Sequence, residues 1–213
     1  RPAWIEWVFR AIDDGIVQAT DVPPGRRAQL LQHADARIRE RAEAVFRNVS
    51  GADRRAAYEA ARAALRLPAR PEAGRTVFTR LCAECHRREG QGFDVGPDLT
   101  GIRNQEPETI LMHIVLPSAE INPLYPSTNI ETVDGQVLTG IVIAETPTSV
   151  TIRRARAQED TIPRADIVSM YADPLSLMPQ ELEANMTAQE LADLIAYLRG
   201  QMSTDSPASA PAE

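Results

Sequence analysis

The sequence predicts a mainly α-helical protein with a small antiparallel β module inserted into it. Apolar residues recur at helical spacing over residues 2–67 and again over 187–200. Between about 126 and 172 the period switches to two, punctuated by tight-turn residues. A third observation marks the point around which these elements are arranged: both cysteines of the chain lie in Cys82-Ala83-Glu84-Cys85-His86.

The bulk composition is that of an ordinary globular protein, 43% apolar and 25% charged over 213 residues. Aromatic residues are scarce at 5%, so the core leans on aliphatic side chains or on a large apolar cofactor. A net charge of −7 argues against a nucleic-acid binder, which carries a basic face, and suits docking to a basic partner. No apolar run is long enough to span a bilayer. The chain opens on Arg1 without a signal peptide and reads as a processed or excised piece, which leaves its compartment open.

Taken in order, residues 2–15 read as an amphipathic helix with Trp4, Trp7, Val8, Ala11 and Ile12 on one face. Pro23-Pro24-Gly25 breaks the chain. Residues 26–48 read as one long helix with Leu30, Leu31, Ala34, Ile38, Ala42, Val45 and Phe46 on its apolar side. Ser50-Gly51 breaks again, residues 52–67 are helical, and 68–73 form a Pro-containing linker. The stretch Leu30-Leu31-Gln32-His33-Ala34-Asp35-Ala36-Arg37-Ile38-Arg39-Glu40-Arg41-Ala42 resembles a helix of a HEAT-type repeat. A single such unit cannot bury its own face, so residues 1–67 read as the end of a helical array or as a subdomain packed on the domain C-terminal to it.

Residues 74–81 form a short helix running into the cysteines, 87–104 a Gly- and Pro-rich loop, and 106–116 a helix stopped at Pro117. The β module begins with alternation from Ser127 to Val133, a turn at Asp134-Gly135 and a second strand from Val137 to Ile143. Val150–Arg153, Thr161-Ile162 and Ile167–Met170 supply further short strands, with a charged turn near Gln158-Glu159-Asp160, as in a small sheet or barrel. Thr187 with Glu190 makes a capping box for a last helix whose buried stripe is Leu191, Leu194, Ile195 and Leu198, ended by Gly200. Residues 201–213 read as a disordered tail.

The pentapeptide carries the chemistry. C-x-x-C-H is the attachment signature of a c-type haem: Cys82 and Cys85 supply two thioether bonds, and His86 supplies an axial imidazole. A thioredoxin-like dithiol would follow a strand in a βαβ pattern, whereas here a helix precedes it. A structural zinc site would need a second ligand pair, and His33 and His113 are isolated.

Gly74, Phe78, the C-x-x-C-H motif, Gly96-Pro97-Asp98-Leu99 and Asp193-Leu194-Ile195-Ala196-Tyr197-Leu198 together resemble a class I cytochrome c. The resemblance implies a cytochrome c-like helical haem domain over 74–200 whose first and last helices cross near one haem c. Gly74 would permit the close approach, Phe78 and Tyr197 would pack at the crossing, and Leu99 would line the haem. The Pro97 carbonyl would accept a hydrogen bond from His86. A methionine usually supplies the sixth ligand in that family. Of Met112, Met170, Met178, Met186 and Met202, the reading favours Met178, because Pro179 restricts it to extended backbone; Met186 and His113 stay as alternatives.

A β module between motif and methionine is foreign to a minimal class I cytochrome. With Gly92-Phe93-Asp94-Val95-Gly96-Pro97-Asp98-Leu99-Thr100-Gly101, Leu116-Pro117-Ser118-Ala119-Glu120-Ile121-Asn122-Pro123, Asp134-Gly135-Gln136-Val137-Leu138-Thr139-Gly140, Ile162-Pro163-Arg164-Ala165-Asp166-Ile167 and Ser176-Leu177-Met178-Pro179, the chain is similar to the haem-binding domain of planctomycetes and verrucomicrobia. That resemblance implies a domain at the end of a large secreted protein, after a dehydrogenase-like part and helical repeats. The module could shield a haem edge, dock a partner or steady the Met178 loop. Arg153, Arg154 and Arg156 form a local basic cluster, read either as solvated turn residues or as a docking face for an acidic partner.

The function these residues point to is one-electron transfer, with a redox partner protein or an upstream dehydrogenase domain as partner and no nucleic acid. The chain is then an electron-transfer domain rather than an enzyme in its own right. A gas sensor or peroxidase-like protein with a labile sixth ligand is the alternative, and a purely structural haem the third reading. Because covalent haem attachment takes place outside the bacterial cytoplasm, a periplasmic or equivalent compartment is expected.

Overall fold

The computed structural model describes residues 3–201 except 20, 21, 23, 32, 34 and 47–51. Met202 and the tail assigned to 201–213 lie outside the described residues apart from Gln201, as do Pro23 and the Ser50-Gly51 break. Among the described residues the chain forms seven α-helices, a two-stranded ribbon and a five-stranded sheet, mainly helical with the sheet inserted before the last helix. The helices are α1 (Ala3–Asp13), α2 (Pro24–Leu31), α3 (Ala36–Phe46), α4 (Ala52–Ala61), α5 (Pro71–Leu81), α6 (Pro107–Val115) and α7 (Ala188–Leu198).

The single helix expected over 26–48 is two helices. The break falls at Asp35, whose carboxylate accepts the Arg37 N–H at 3.0 Å and so offers the backbone a start signal in competition with helix continuation. Pro24 and Gly25 belong to the first turn of α2, where a missing N–H costs nothing. The buried face of α1 also differs from the expected stripe: Ile5 and Phe9 are buried and Trp7 is 77% exposed, because the core lies along the 4-5-8-9-12 line of the helix. These residues, with Leu30, Ile38, Ala42 and Phe46, make a separate apolar cluster of α1–α3.

Helix α4 and the 3₁₀ turn after it (Arg62–Arg66) pack elsewhere. Ala57, Tyr58, Ala61, Ala64 and Leu65 join a second cluster built on Phe78, Leu111, Val115, Leu191, Leu194 and Leu198 of α5, α6 and α7. The buried Arg54 donates to the Val115 carbonyl at 2.6 Å and pairs with Glu183 at 2.7 Å, tying α4 to the end of α6. Helix α5 starts at Pro71 rather than at 74, with Arg70 as its N-cap, so the linker is shorter than 68–73. The segment expected to be plain loop, 87–104, contains β1 (Arg87–Arg88), β2 (Gln91–Gly92) and a 3₁₀ turn, Leu99–Asn104. Glu89 and Gly90, at φ +50° and +81°, make the tight turn between the two strands.

The insert is larger than the small module expected. It comprises β3 (Ser127–Thr132), β4 (Val137–Glu145), β5 (Ser149–Arg154), β6 (Gln158–Pro163) and β7 (Ile167–Ala172), in the antiparallel order β6-β5-β4-β3-β7. The segment Gln158-Glu159-Asp160, expected as a charged turn, lies within β6, and the turn is at 155–157, where Arg156 and Ala157 take left-handed φ of +60° and +56°. Register places Ile130 opposite Leu138, Val142 opposite Ile152 and Val150 opposite Ile162 on one face. Ile130, Val150 and Ile152 are fully buried in a cluster with Ile162, Leu138, Val142 and Ile167, and bulges after Glu131 and Val142 increase the local twist of the sheet. Among the described residues no helix is long and apolar enough to cross a membrane.

Candidate functional site

Cys82 is the C-cap of α5, its N–H still bonded to the Phe78 carbonyl at 2.8 Å. The chain then turns tightly: the Cys85 and His86 N–H groups both donate to the Cys82 carbonyl, at 3.1 and 2.9 Å. This is the wrong end of a helix for a reactive dithiol, which gains thiolate character at an N-terminus. Burial, then the neighbouring Cys85, pushes the Cys82 thiol up to about 12; burial, then Glu84, pushes Cys85 up as well. The two thiols are free, and among the described residues no group of three His, Cys, Asp or Glu side chains could hold a metal ion. The dithiol and zinc readings both lose support, whereas haem attachment needs only the two thiols and the imidazole side by side.

The imidazole is oriented. His86 Nδ1 lies 2.9 Å from the Pro97 carbonyl, and since a carbonyl can only accept, Nδ1 carries the proton and the Nε2 lone pair is free to bind iron. Burial holds the His86 pKa below its ordinary value, against the opposing pull of that carbonyl, which favours the neutral ligating form. The loop reaches this position because Val95 N–H and Gly96 N–H both donate to the Cys85 carbonyl, at 3.0 and 2.7 Å. A Cβ on Gly96 would stand 2.6 Å from His86 Cε1, so this cradle accepts glycine alone.

The helix crossing above the motif has the close contact its glycine suggests. A Cβ on Gly74 would lie 2.0 Å from the Asp193 carbonyl oxygen and 2.8 Å from Tyr197 Cβ. Phe78 and Tyr197 pack with ring centroids 5.7 Å apart. The buried Asp193 carboxylate accepts the Arg70 N–H at 2.8 Å, at the positive end of α5.

Arg88 is a residue that sequence reasoning missed. It is 2% exposed, donates from Nη2 to the Tyr197 carbonyl at 2.7 Å and lies 4.2 Å from the Tyr197 ring centroid. It thereby ties the β1–β2 ribbon, directly after His86, to the C-terminus of α7, where a cation is favoured. Its only sequence signal is its place two residues after the motif, which does not set it apart from Arg87.

Leu99, Met178 and Met186 all pack against the cluster that contains Cys82 and Phe78. His113, on α6, is partly exposed, 3.5 Å from the Glu120 carboxylate. Met170 lies on β7, 37% exposed. The Met178 segment is held from two sides. Ser118 Oγ accepts the Ser176 N–H at 3.1 Å and the Gln180 amide at 2.9 Å, and Ser176 Oγ accepts the Met178 N–H at 3.2 Å. Asp173 accepts the Leu175 N–H at 2.9 Å. Met186, by contrast, ends the 3₁₀ turn Leu182–Asn185 as its C-cap, just ahead of the Thr187 cap.

Each arginine of the basic cluster has an acidic partner within the chain. Arg153 pairs with Glu159, Arg154 with Asp160 and Arg156 with Glu84. The donor set as a whole (two adjacent thiols, an oriented imidazole and thioethers on the same apolar cluster) fits a covalently attached haem.

The family model for cytochrome c matches residues 71–131, from the start of α5 into β3. No curated protein matches the chain. The matched segment contains Cys82–His86 and Gly96-Pro97 but stops short of Met178 and α7. Over that segment the chain is similar to cytochrome c, a family whose covalently attached haem c is associated with electron transfer and generally with extracytoplasmic compartments.

Proposed function

We propose that this protein is a single-haem c-type cytochrome domain that relays one electron at a time, as the accepting or relaying part of a larger extracytoplasmic dehydrogenase-like protein. In this reading it does no substrate chemistry of its own. The observation that carries the proposal is the hydrogen bond from His86 Nδ1 to the Pro97 carbonyl, which leaves Nε2 as an oriented ligand beside two free thiols. When bound, haem c supplies a ferric/ferrous couple whose potential depends on its axial ligands. The chain's part is to attach it through Cys82 and Cys85, to ligate it with His86 and Met178, and to surround it with Phe78, Leu99 and Tyr197.

Met178 is preferred to Met186 because its backbone and neighbours are anchored to Ser118, Ser176 and Asp173. A thioether held this way favours a closed, six-coordinate carrier over a gas sensor or peroxidase. The resemblance to the planctomycete and verrucomicrobial haem-binding domain, with its preceding HEAT-like helices, supports placement within a larger protein. The reduced protein should bind carbon monoxide slowly or incompletely; immediate full binding would overturn the carrier reading. Met178→Ala should abolish the weak near-infrared sulfur-to-iron band and open the protein to exogenous ligands, and an unchanged spectrum would remove Met178 as the ligand.

A further inference from the structure

The inserted sheet touches both loops that the proposed function assigns to the haem, at opposite ends of a continuous ladder. At one end is the β5–β6 turn. The Arg156 N–H donates to the Glu84 carbonyl at 2.7 Å, and the Arg156 guanidinium grips the Glu84 carboxylate, with Nε at 2.9 Å. Glu84 lies between the two attachment cysteines. Arg153, at the end of β5, donates to the Asp94 carbonyl at 3.0 Å, in the loop that brings Gly96 and Pro97 under His86. Arg156 and Ala157 hold left-handed backbone without being glycine, a local cost that persists where surrounding contacts enforce it.

At the other end is β3. Asn129, fully buried, donates from Nδ2 to Asp173 Oδ2 at 2.8 Å and accepts from Thr139 Oγ1 of β4 at 2.6 Å. The Asp173 N–H donates to the Ser127 carbonyl at 2.8 Å, and Asp173 Oδ1 accepts the Leu175 N–H, three residues before Met178. Strands β3, β4 and β5 are hydrogen-bonded neighbours, so one ladder joins the two anchor points.

We infer that the insert is a strut that sets the His86 loop and the Met178 loop relative to one another, with Arg156 and Asp173 as positioning residues at its two ends. This rests on the assignment of His86 and Met178 as the axial pair. A strut acts only while held at both ends, and that gives the inference a signature that two local stabilising contacts lack.

The test uses the full haem-loaded chain, with imidazole as the competing ligand and the reduction potential as a second readout. Arg156→Ala and Asp173→Asn should each speed displacement of the methionine by imidazole by about tenfold or more, the scale on which residues supporting metal ligands act. Each should also shift the potential. Arg156→Ala should leave Tm almost unchanged, because an exposed ion pair contributes little to stability. Combining the two substitutions should add nothing beyond the larger single effect. Arg156→Glu together with Glu84→Arg should restore the wild-type rate.

Single variants that match wild type in rate and potential, or a double variant whose effect is the product of the singles, would overturn the strut. Should Asp173→Asn fail to fold, the charge-swap pair decides: rescue supports the strut and its absence defeats it. A wild-type protein lacking the sulfur-to-iron band overturns the Met178 assignment and the strut with it. A wild-type protein that has the band, with variants that behave like it, overturns the strut alone.

Discussion

Two glycines show how single residues decide the site. At Gly74 the ideal Cβ position is 2.0 Å from backbone oxygen of α7, and backbone cannot rotate away as a side chain can. Gly74→Ala should therefore push α5 and α7 apart, costing about 1–3 kcal/mol as overpacked sites do. Thermal unfolding of the haem-loaded protein checks this, and an unchanged Tm would mean that the crossing has slack. At Gly96 the obstacle is the His86 ring itself, 2.6 Å away. Gly96→Ala should turn the imidazole off the Pro97 carbonyl, weaken it as a ligand and shift the reduction potential with little change in helix content; potentiometry beside far-ultraviolet circular dichroism separates the two.

Helix α7 shows an element whose start is settled locally. Thr187 Oγ1 accepts the Glu190 N–H at 3.2 Å, and the Glu190 carboxylate accepts the Thr187 N–H at 2.8 Å. Thr187→Ala should cost about 1 kcal/mol, the usual effect of a lost N-cap. The Thr187 backbone N–H first, then its hydroxyl, and further the guanidinium of Arg80 hold the Glu190 pKa below its ordinary 4.5. A carboxylate depressed in the folded state contributes stability above its unfolded pKa and loses it as pH falls through the folded one. Tm should therefore decline on acidification below about 4.5, and in Glu190→Gln this part of the decline should be absent. Equal acid slopes for wild type and variant would count against the box as a contributor.

For the whole molecule, the Arg54–Glu183 pair, with side chains only 10% and 14% exposed, adds an ionic contact to the apolar packing that joins α4 to the core of α5, α6 and α7. Removing one partner strands the other charge where water does not reach it, a loss of about 3–5 kcal/mol. Arg54→Ala should lower Tm by that measure. Arg54→Met combined with Glu183→Leu, which removes both charges and keeps apolar volume, should lose distinctly less. A double variant as unstable as the single would show that the hydrogen bond to the Val115 carbonyl, and not the ion pair, holds α4 in place.

Features that are local or chemically singular were legible in the sequence. The C-x-x-C-H turn, the hairpin at Asp134-Gly135, the α7 capping box and the switch of hydrophobic period are each written within a few residues, so short-range rules read them. The Pro97 and Gly74 contacts became legible only through resemblance, since nothing near Pro97 in sequence says which imidazole its carbonyl meets. The break between α2 and α3 and the exposed side of Trp7 were misread because marginal helices take their boundaries and buried faces from what packs on them. The partners of Arg88, Arg153 and Arg156 came from the fold alone. Their carbonyls and carboxylates lie 109, 59 and 72 positions away, and an arginine's choice among acceptors depends on where the fold brings them. The fold also turned an apparent appendage into a sheet that grips the loops on both sides of the site, because strand pairing carries contacts across distances that no local pattern encodes.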